Sequence, residues 1–238
     1  MQLFIDVETV PSQAPDALAE VRATLKPPGT LKKAESIAAW WANDADAAAE
    51  EQYRKQALDG GNKGEIVSIA CVNEDGDQWV RCRRPGESEA DLLRECFDQV
   101  DAWTAEEAAR VVPNHPSAWP IDGHYPVAHN AAFDLGFLWR RSIINRVPLP
   151  RWLPGPDGRA GKDYGCSMVA WAGYGGRVSL DTLCCALGVT SPKDDGIDGS
   201  KVYDAWQAGE VERIAAYNLK DAQAVAEVWQ RLLGRGRI

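Results

Sequence analysis

Three features of this sequence predict an α/β fold, a mixed central β-sheet with helices packed on its faces. The chain opens on a short apolar strand, Leu3-Phe4-Ile5, that continues through Asp6-Val7-Glu8-Thr9. Two further strand patterns, Glu65 to Val72 and Gln78 to Arg83, flank the turn Asn73-Glu74-Asp75-Gly76. A helix, a fourth strand and more helical stretches then follow. Three strands, a helix, a strand and further helices suit a mixed sheet with helices on both sides.

The elements follow in order. Between the first two strands lies an insertion at about 12–62, rich in alanine and charge, where a simple hairpin needs only a few residues. Within it, Lys32 to Leu58 is predicted helical, with Ile37, Trp40 and Trp41 as an apolar patch. Glu87 to Val100 is an amphipathic helix with Leu92, Leu93, Cys96 and Val100 facing inward. Pro113 to Gly123 is a loop, and Pro126 to His129 a short buried strand. Asn130 is placed to cap the helix that starts at Ala131, where Phe133, Phe137 and Leu138 recur at helical spacing. A Pro/Gly-rich connection at 148–165 leads to further helical stretches and to a long final helix, Val211 to Leu233. There is no internal repeat. The 238 residues suit one domain, 1–238, with the helical insertion 12–62 inside it.

Composition narrows the class. The absence of an 18-residue apolar run argues against a membrane-spanning helix. The N-terminus enters a strand directly, unlike a signal peptide. The six cysteines show no CxxC spacing, which points to reduced thiols in a cytoplasmic protein; Cys184 and Cys185 read as small buried residues on a helix. The net charge of −9 runs against nucleic-acid binding. The charge is uneven, however. Residues 139–162 hold six basic side chains (Arg140, Arg141, Arg146, Arg151, Arg159 and Lys162) against the single acid Asp157, and Arg81, Arg83 and Arg84 form a second group. Either group can flank the path of a nucleic-acid strand or be an ordinary solvated surface.

Four acids sit in unusual places. Side chains alternate along a strand, so Asp6 and Glu8 share a face about 7 Å apart and repel each other unless a cation lies between them. Taken alone, the pair reads equally well as a solvated strand end. Asp134 falls in the first turn of its helix, where the helix dipole favours an anion. Asp221 is different. At about 100° per residue it lies within roughly 40° of Ile214, Tyr217, Val225, Val228 and Leu232, in the middle of the buried stripe. A buried carboxylate there needs a cation, a donor, or an interior Arg or Lys. All-oxygen acidic sites favour hard ions such as Mg²⁺ or Mn²⁺.

Asp6-x-Glu8 on a first strand, Asn130-x-x-x-Asp134 opening a later helix and Tyr217-x-x-x-Asp221 on the last helix resemble, in order and spacing, the three motifs of the DEDD superfamily of ribonuclease H-like 3′→5′ exonucleases. Tyr217 stands four residues before the Asp, and Ala216 occupies the place where the sister subgroup carries His. The chain is therefore similar to the tyrosine subgroup, close to predicted exonucleases related to family B polymerase proofreading domains. Ser179 to Gly188 and Asp198 to Val202 share in the resemblance, which covers most of the chain outside about 12–62.

The resemblance implies a ribonuclease H-like fold and two-metal-ion hydrolysis of phosphodiester bonds from the 3′ end of single-stranded DNA or RNA, releasing nucleoside 5′-monophosphates. It places Asp6, Glu8 and Asp221 on one divalent cation and Asp6 with Asp134 on a second, Mg²⁺ or Mn²⁺. Tyr217 is too weak an acid to serve as a base at neutral pH and suits the orientation of water. Thr9, Asn130, Phe133, His129 and Trp41 are the candidate substrate contacts. Beside that role, His129 reads first as a hydrogen-bonded structural residue and Phe133 first as core. Trp41 either stacks on a base from a helical flap or anchors the insertion. Proofreading would need a polymerase or replication partner. The other readings are a weakly catalytic binding or polymerase accessory module, and a phosphodiesterase of short oligonucleotides on the same site.

Overall fold

The structure is a computed structural model that describes residues 1–110, 124–192 and 196–234; the loop expected at Pro113–Gly123 lies outside them. It has an α/β fold, consistent with the ribonuclease H-like expectation. Five strands form one mixed open sheet in the order β3-β2-β1-β4-β5: β1 (Gln2–Val10), β2 (Glu65–Asn73), β3 (Gln78–Cys82), β4 (Tyr125–Ala128) and β5 (Gly165–Cys166). The β1-β2-β3 meander is antiparallel, whereas β4 adds to β1 and β5 to β4 in parallel.

Strand alternation divides the core in two. Leu3, Ile5 and Val7 of β1 face Leu92, Leu93 and Cys96 of α4 (Glu89–Arg110) and Phe137 and Leu138 of α5 (Ala131–Ile144). On the other face, Phe4 joins Ala70, Val127, Ala222, Val225 and Trp229, the last three from α9 (Val211–Leu232). Asp6 and Glu8 continue the Phe4 row, so strand geometry alone aims both at α9. A bulge after Glu8 shifts the β1-β2 register, from Glu8 opposite Ser68 to Thr9 opposite Ile66. Such bulges twist a strand locally and re-aim its side chains.

The insertion is helical but not continuous. It contains α1 (Ala17–Thr24), α2 (Ala34–Asn43), α3 (Ala45–Arg54) and a 3₁₀ turn (Lys55–Leu58). The helix expected over 32–58 breaks at Asp44, and α1 adds a helix ahead of it, in a part of the 12–62 helical insertion where the sequence delimits no individual helix. α1 packs on α3 through Ala17, Val21, Ala49 and Tyr53, a small core of its own. The turn is braced onto β1, where the Thr9 hydroxyl donates to the Ala57 carbonyl at 2.6 Å.

Other expectations are corrected. β5 went unforeseen because two residues carry no period. Cys184 is buried but Cys185 is exposed, since adjacent residues of α7 (Leu180–Leu187) point about 100° apart. Asn130 stands at the N-cap of α5, but its side chain makes no capping bond. Arg81, Arg83 and Arg84 pair with Glu87 and Glu95, with Glu65 and with Glu212, so these cations are engaged within the fold. Arg141 likewise bonds buried Glu89, and Arg140 the Gly60 carbonyl. Among the described residues no helix is long and apolar enough to cross a membrane.

Candidate active site

The carboxyl ends of the parallel neighbours β1 and β4 open on one edge of the sheet. β1 delivers Asp6 and Glu8 there, and β4 runs through His129 and Asn130 into α5, whose first turn carries Asp134. α9 crosses the same edge with Tyr217 and Asp221. The four acids, Tyr217, His129, Asn130 and Phe133 all line one cavity of about 220 Å³. Oxygens of Asp6, Glu8 and Asp221 lie within 4.8 Å of one another. Asp134 is tied to β1 by the Val7 amide, which donates to its Oδ1 at 3.3 Å.

These acids are a strained set. Glu8, Asp134, Tyr217 and Asp221 are all buried and Asp6 is half-buried. Burial pushes the Asp6 and Glu8 carboxyls well above the usual carboxylate range, and the charges of Asp221 and Asp134 push further. Asp134 rises to about 7, chiefly through burial, which the amide bonds from Val7 and its own backbone only partly offset. A cluster of this kind is unstable as an array of bare anions and is relieved by a hard cation among its oxygens. The donor set thus fits a divalent metal. Burial and the negative charge of Asp221 raise the Tyr217 pKa above its ordinary value, and its hydroxyl is hydrogen-bonded to Asp221.

One participant escaped the sequence reading. Asn218, fully buried on α9, donates from Nδ2 to Asp6 Oδ2 at 2.6 Å and accepts at Oδ1 from the Ser68 hydroxyl at 2.8 Å. This chain fixes the Asp6 carboxylate from behind. The available signal was a buried-face Asn beside Tyr217, but its partner is 212 positions away. Asp181 of α7 brings a fifth carboxylate to the wall, where its Oδ1 accepts from the Ser191 hydroxyl at 2.6 Å.

His129 has both nitrogens engaged. Nε2 donates to the Val178 carbonyl at 2.8 Å, so the neutral ring accepts at Nδ1 from the Ser167 hydroxyl, also 2.8 Å. Burial lowers its pKa and favours that neutral form. A groove of about 530 Å³ adjoins the cavity and shares Val7, Glu8 and Phe133 with it. Thr9, Leu58 and Tyr203 line part of the remainder, together with the charged Glu51, Arg54 and Lys55. Trp41 lies outside both walls, with its ring edge-on to Trp40 and the Arg22 guanidinium 4.9 Å from its centre.

Residues 125–234 match the model of a family described as a predicted 3'-5' exonuclease related to the exonuclease domain of PolB. Over that stretch the chain is similar to the PolB exonuclease domain. The PolB-like segment contains Asn130, Asp134, Tyr217 and Asp221, whereas Asp6 and Glu8 lie before it and join the site through the β1-β4 pairing. The match supports a nuclease with a nucleic-acid substrate. No curated protein matches the chain at a significant level.

Proposed function

We propose that the chain is a metal-dependent 3′→5′ exonuclease of the tyrosine DEDD type, acting on single-stranded DNA or RNA and releasing nucleoside 5′-monophosphates. The observation that carries this reading is the meeting of four acids from three separate segments in one cavity, with Tyr217 against Asp221. Asp6, Glu8 and Asp221 would hold one divalent cation, and Asp6 with Asp134 a second. Bound there, such cations supply Lewis-acid stabilisation of the attacking and leaving oxygens of an in-line displacement.

The protein's own groups do the positioning. Tyr217 keeps its proton at neutral pH, so its hydroxyl orients water rather than removing a proton. Asn218 holds the Asp6 carboxylate in one rotamer. The groove beside Glu8 and Phe133, with the exposed Leu58 in its lining, would receive the terminal nucleoside. The deciding experiment incubates 5′-labelled single-stranded DNA and RNA with Mg²⁺, Mn²⁺ or EDTA, beside an Asp6→Ala variant. A metal-dependent ladder shortening from the 3′ end and lost in the variant supports the reading. Intact polymer in every lane overturns it.

Two variants test the positioning roles. Tyr217→Phe is expected to lower turnover by roughly 10- to 100-fold, less than the roughly 10²- to 10⁴-fold of a general acid or base because the hydroxyl only orients water, while titration calorimetry finds Mn²⁺ affinity unchanged. Full activity would remove the orienting role. Asn218→Ala removes the bond to the Asp6 carboxylate and leaves the Ser68 hydroxyl only the Arg81 carbonyl at 3.2 Å, so it should both destabilise the fold by about 1–3 kcal/mol and weaken Mn²⁺ binding. If metal affinity stays at the wild-type value, Asn218 is only a structural residue.

A further inference from the structure

The cavity rim at Ser179 and Leu180 runs back into the segment 171–177, Trp-Ala-Gly-Tyr-Gly-Gly-Arg. His129 clips this segment to the site from both sides, through Ser167 before it and Val178 after it. Between the clips, Gly173 and Gly175 adopt left-handed φ values of 76° and 81°, which an L side chain resists. The residue between them, Tyr174, is turned outward. It is 80 % exposed, and Trp171 is 50 % exposed. Tyr174 is nonetheless held, because its hydroxyl donates to the Ala160 carbonyl at 3.0 Å.

That bond joins the aromatic rim to the basic stretch. Ala160 lies between Arg159 and Lys162, whose side chains are 67 % and 66 % exposed and reach Asp163 only at 4.0 and 3.9 Å. Arg177 is exposed at the end of the rim. Outward aromatics interleaved with solvent-facing cations, continuous with the cavity wall, match the chemistry of a single polynucleotide strand, with its flat bases and charged backbone.

We propose that this rim is a landing surface for the single strand, with Trp171 and Tyr174 stacking on bases behind the bond to be cut and Arg177, Arg159 and Lys162 meeting their phosphates. The inference rests on the nuclease reading of the cavity. It would also help a chain of net charge −9 to hold a polyanion, since three exposed cations, Arg159, Lys162 and Arg177, accompany the aromatic rim.

The test is fluorescence anisotropy with labelled oligo(dT) of twelve and of two nucleotides, with Ca²⁺ in place of Mg²⁺ to hold back cleavage. Wild type should bind the longer strand more tightly. Tyr174→Ala and Trp171→Ala should each weaken 12-mer binding roughly tenfold, within the range for one lost base stack, and shrink the ratio of 12-mer to dinucleotide affinity. Tyr174→Phe, which keeps the ring, should bind close to wild type. Arg177→Ala should flatten the salt dependence by about 0.7 in log–log slope, the share of one phosphate contact on a single strand. All these positions are exposed, so folding is preserved and is checked by circular dichroism. Equal 12-mer affinity in wild type, Tyr174→Ala and Trp171→Ala overturns the proposal, as does a wild type with no preference for length. A protein that binds the 12-mer through Tyr174 yet cuts nothing would sink the nuclease reading and keep the surface.

Discussion

Asp221→Asn is expected to abolish most turnover and, in the absence of metal, to make the protein more stable. Both effects come from one cause. Asp221 stands in the buried stripe of α9 with its oxygens close to those of Asp6 and Glu8. After burial, its charge is the largest influence raising the carboxyl pKa values of Asp6 and Glu8. An amide of the same shape removes that repulsion but also removes a hard anionic ligand. Turnover should fall by about 10³-fold or more, near 4 kcal/mol of barrier. Relief of even about 1–2 kcal/mol of repulsion should raise the metal-free melting temperature by several degrees in a chain of this size. Added Mn²⁺ should stabilise wild type far more than the variant. The opposite pattern, a variant destabilised without metal, would falsify the view of the cluster as a repulsive site awaiting a cation.

The parts of this site that were legible in the sequence are those fixed by local periodicity. Strand alternation put Asp6 and Glu8 on one face, and the 100° helical repeat put Asp221 amid apolar neighbours; neither needs a tertiary contact. What escaped depends on partners far along the chain. Asn218 matters because Asp6 and Ser68 converge on it. Arg81, Arg83, Arg84 and Arg141 look like free cations until the fold shows each of them paired. The helix break at Asp44 and the two-residue β5 fall below what propensity resolves. β5 also depends on a close approach: a Cβ at Gly165 would sit 2.9 Å from the Trp229 ring. The segment 171–177, which leaves the helix Ser167–Ala172 through Gly173, carries no sequence signal that ties it to the acids. The two His129 bonds and the rim residues Ser179 and Leu180 place it at the cavity.

The metal-free protein should lose stability as pH rises, the reverse of ordinary carboxylates paired with cations. The sign follows from proton counting. Asp6, Glu8 and Asp134 have folded-state pKa values above their unfolded ones, with Asp134 near 7. Between about pH 4, where the unfolded carboxyls titrate, and the raised folded values, the native state binds more protons than the unfolded state. Stability therefore falls with pH across that window. The contribution is complete below about pH 4; the share of Asp134 is lost as pH passes about 7, and those of Asp6 and Glu8 as pH rises through their own raised values. Since one pKa unit is worth about 1.4 kcal/mol, the loss should reach several kcal/mol. Cation-paired acids such as Glu89 with Arg141 and Glu65 with Arg83 act in the other direction at the acid end. The informative quantity is thus the difference between melting temperatures with Mn²⁺ and with EDTA. That difference should widen steadily from pH 5 to pH 8, and Asp134→Asn should narrow it. A metal increment independent of pH would mean that protons and cations do not compete for these oxygens, and the cavity would lose its claim to be the metal site.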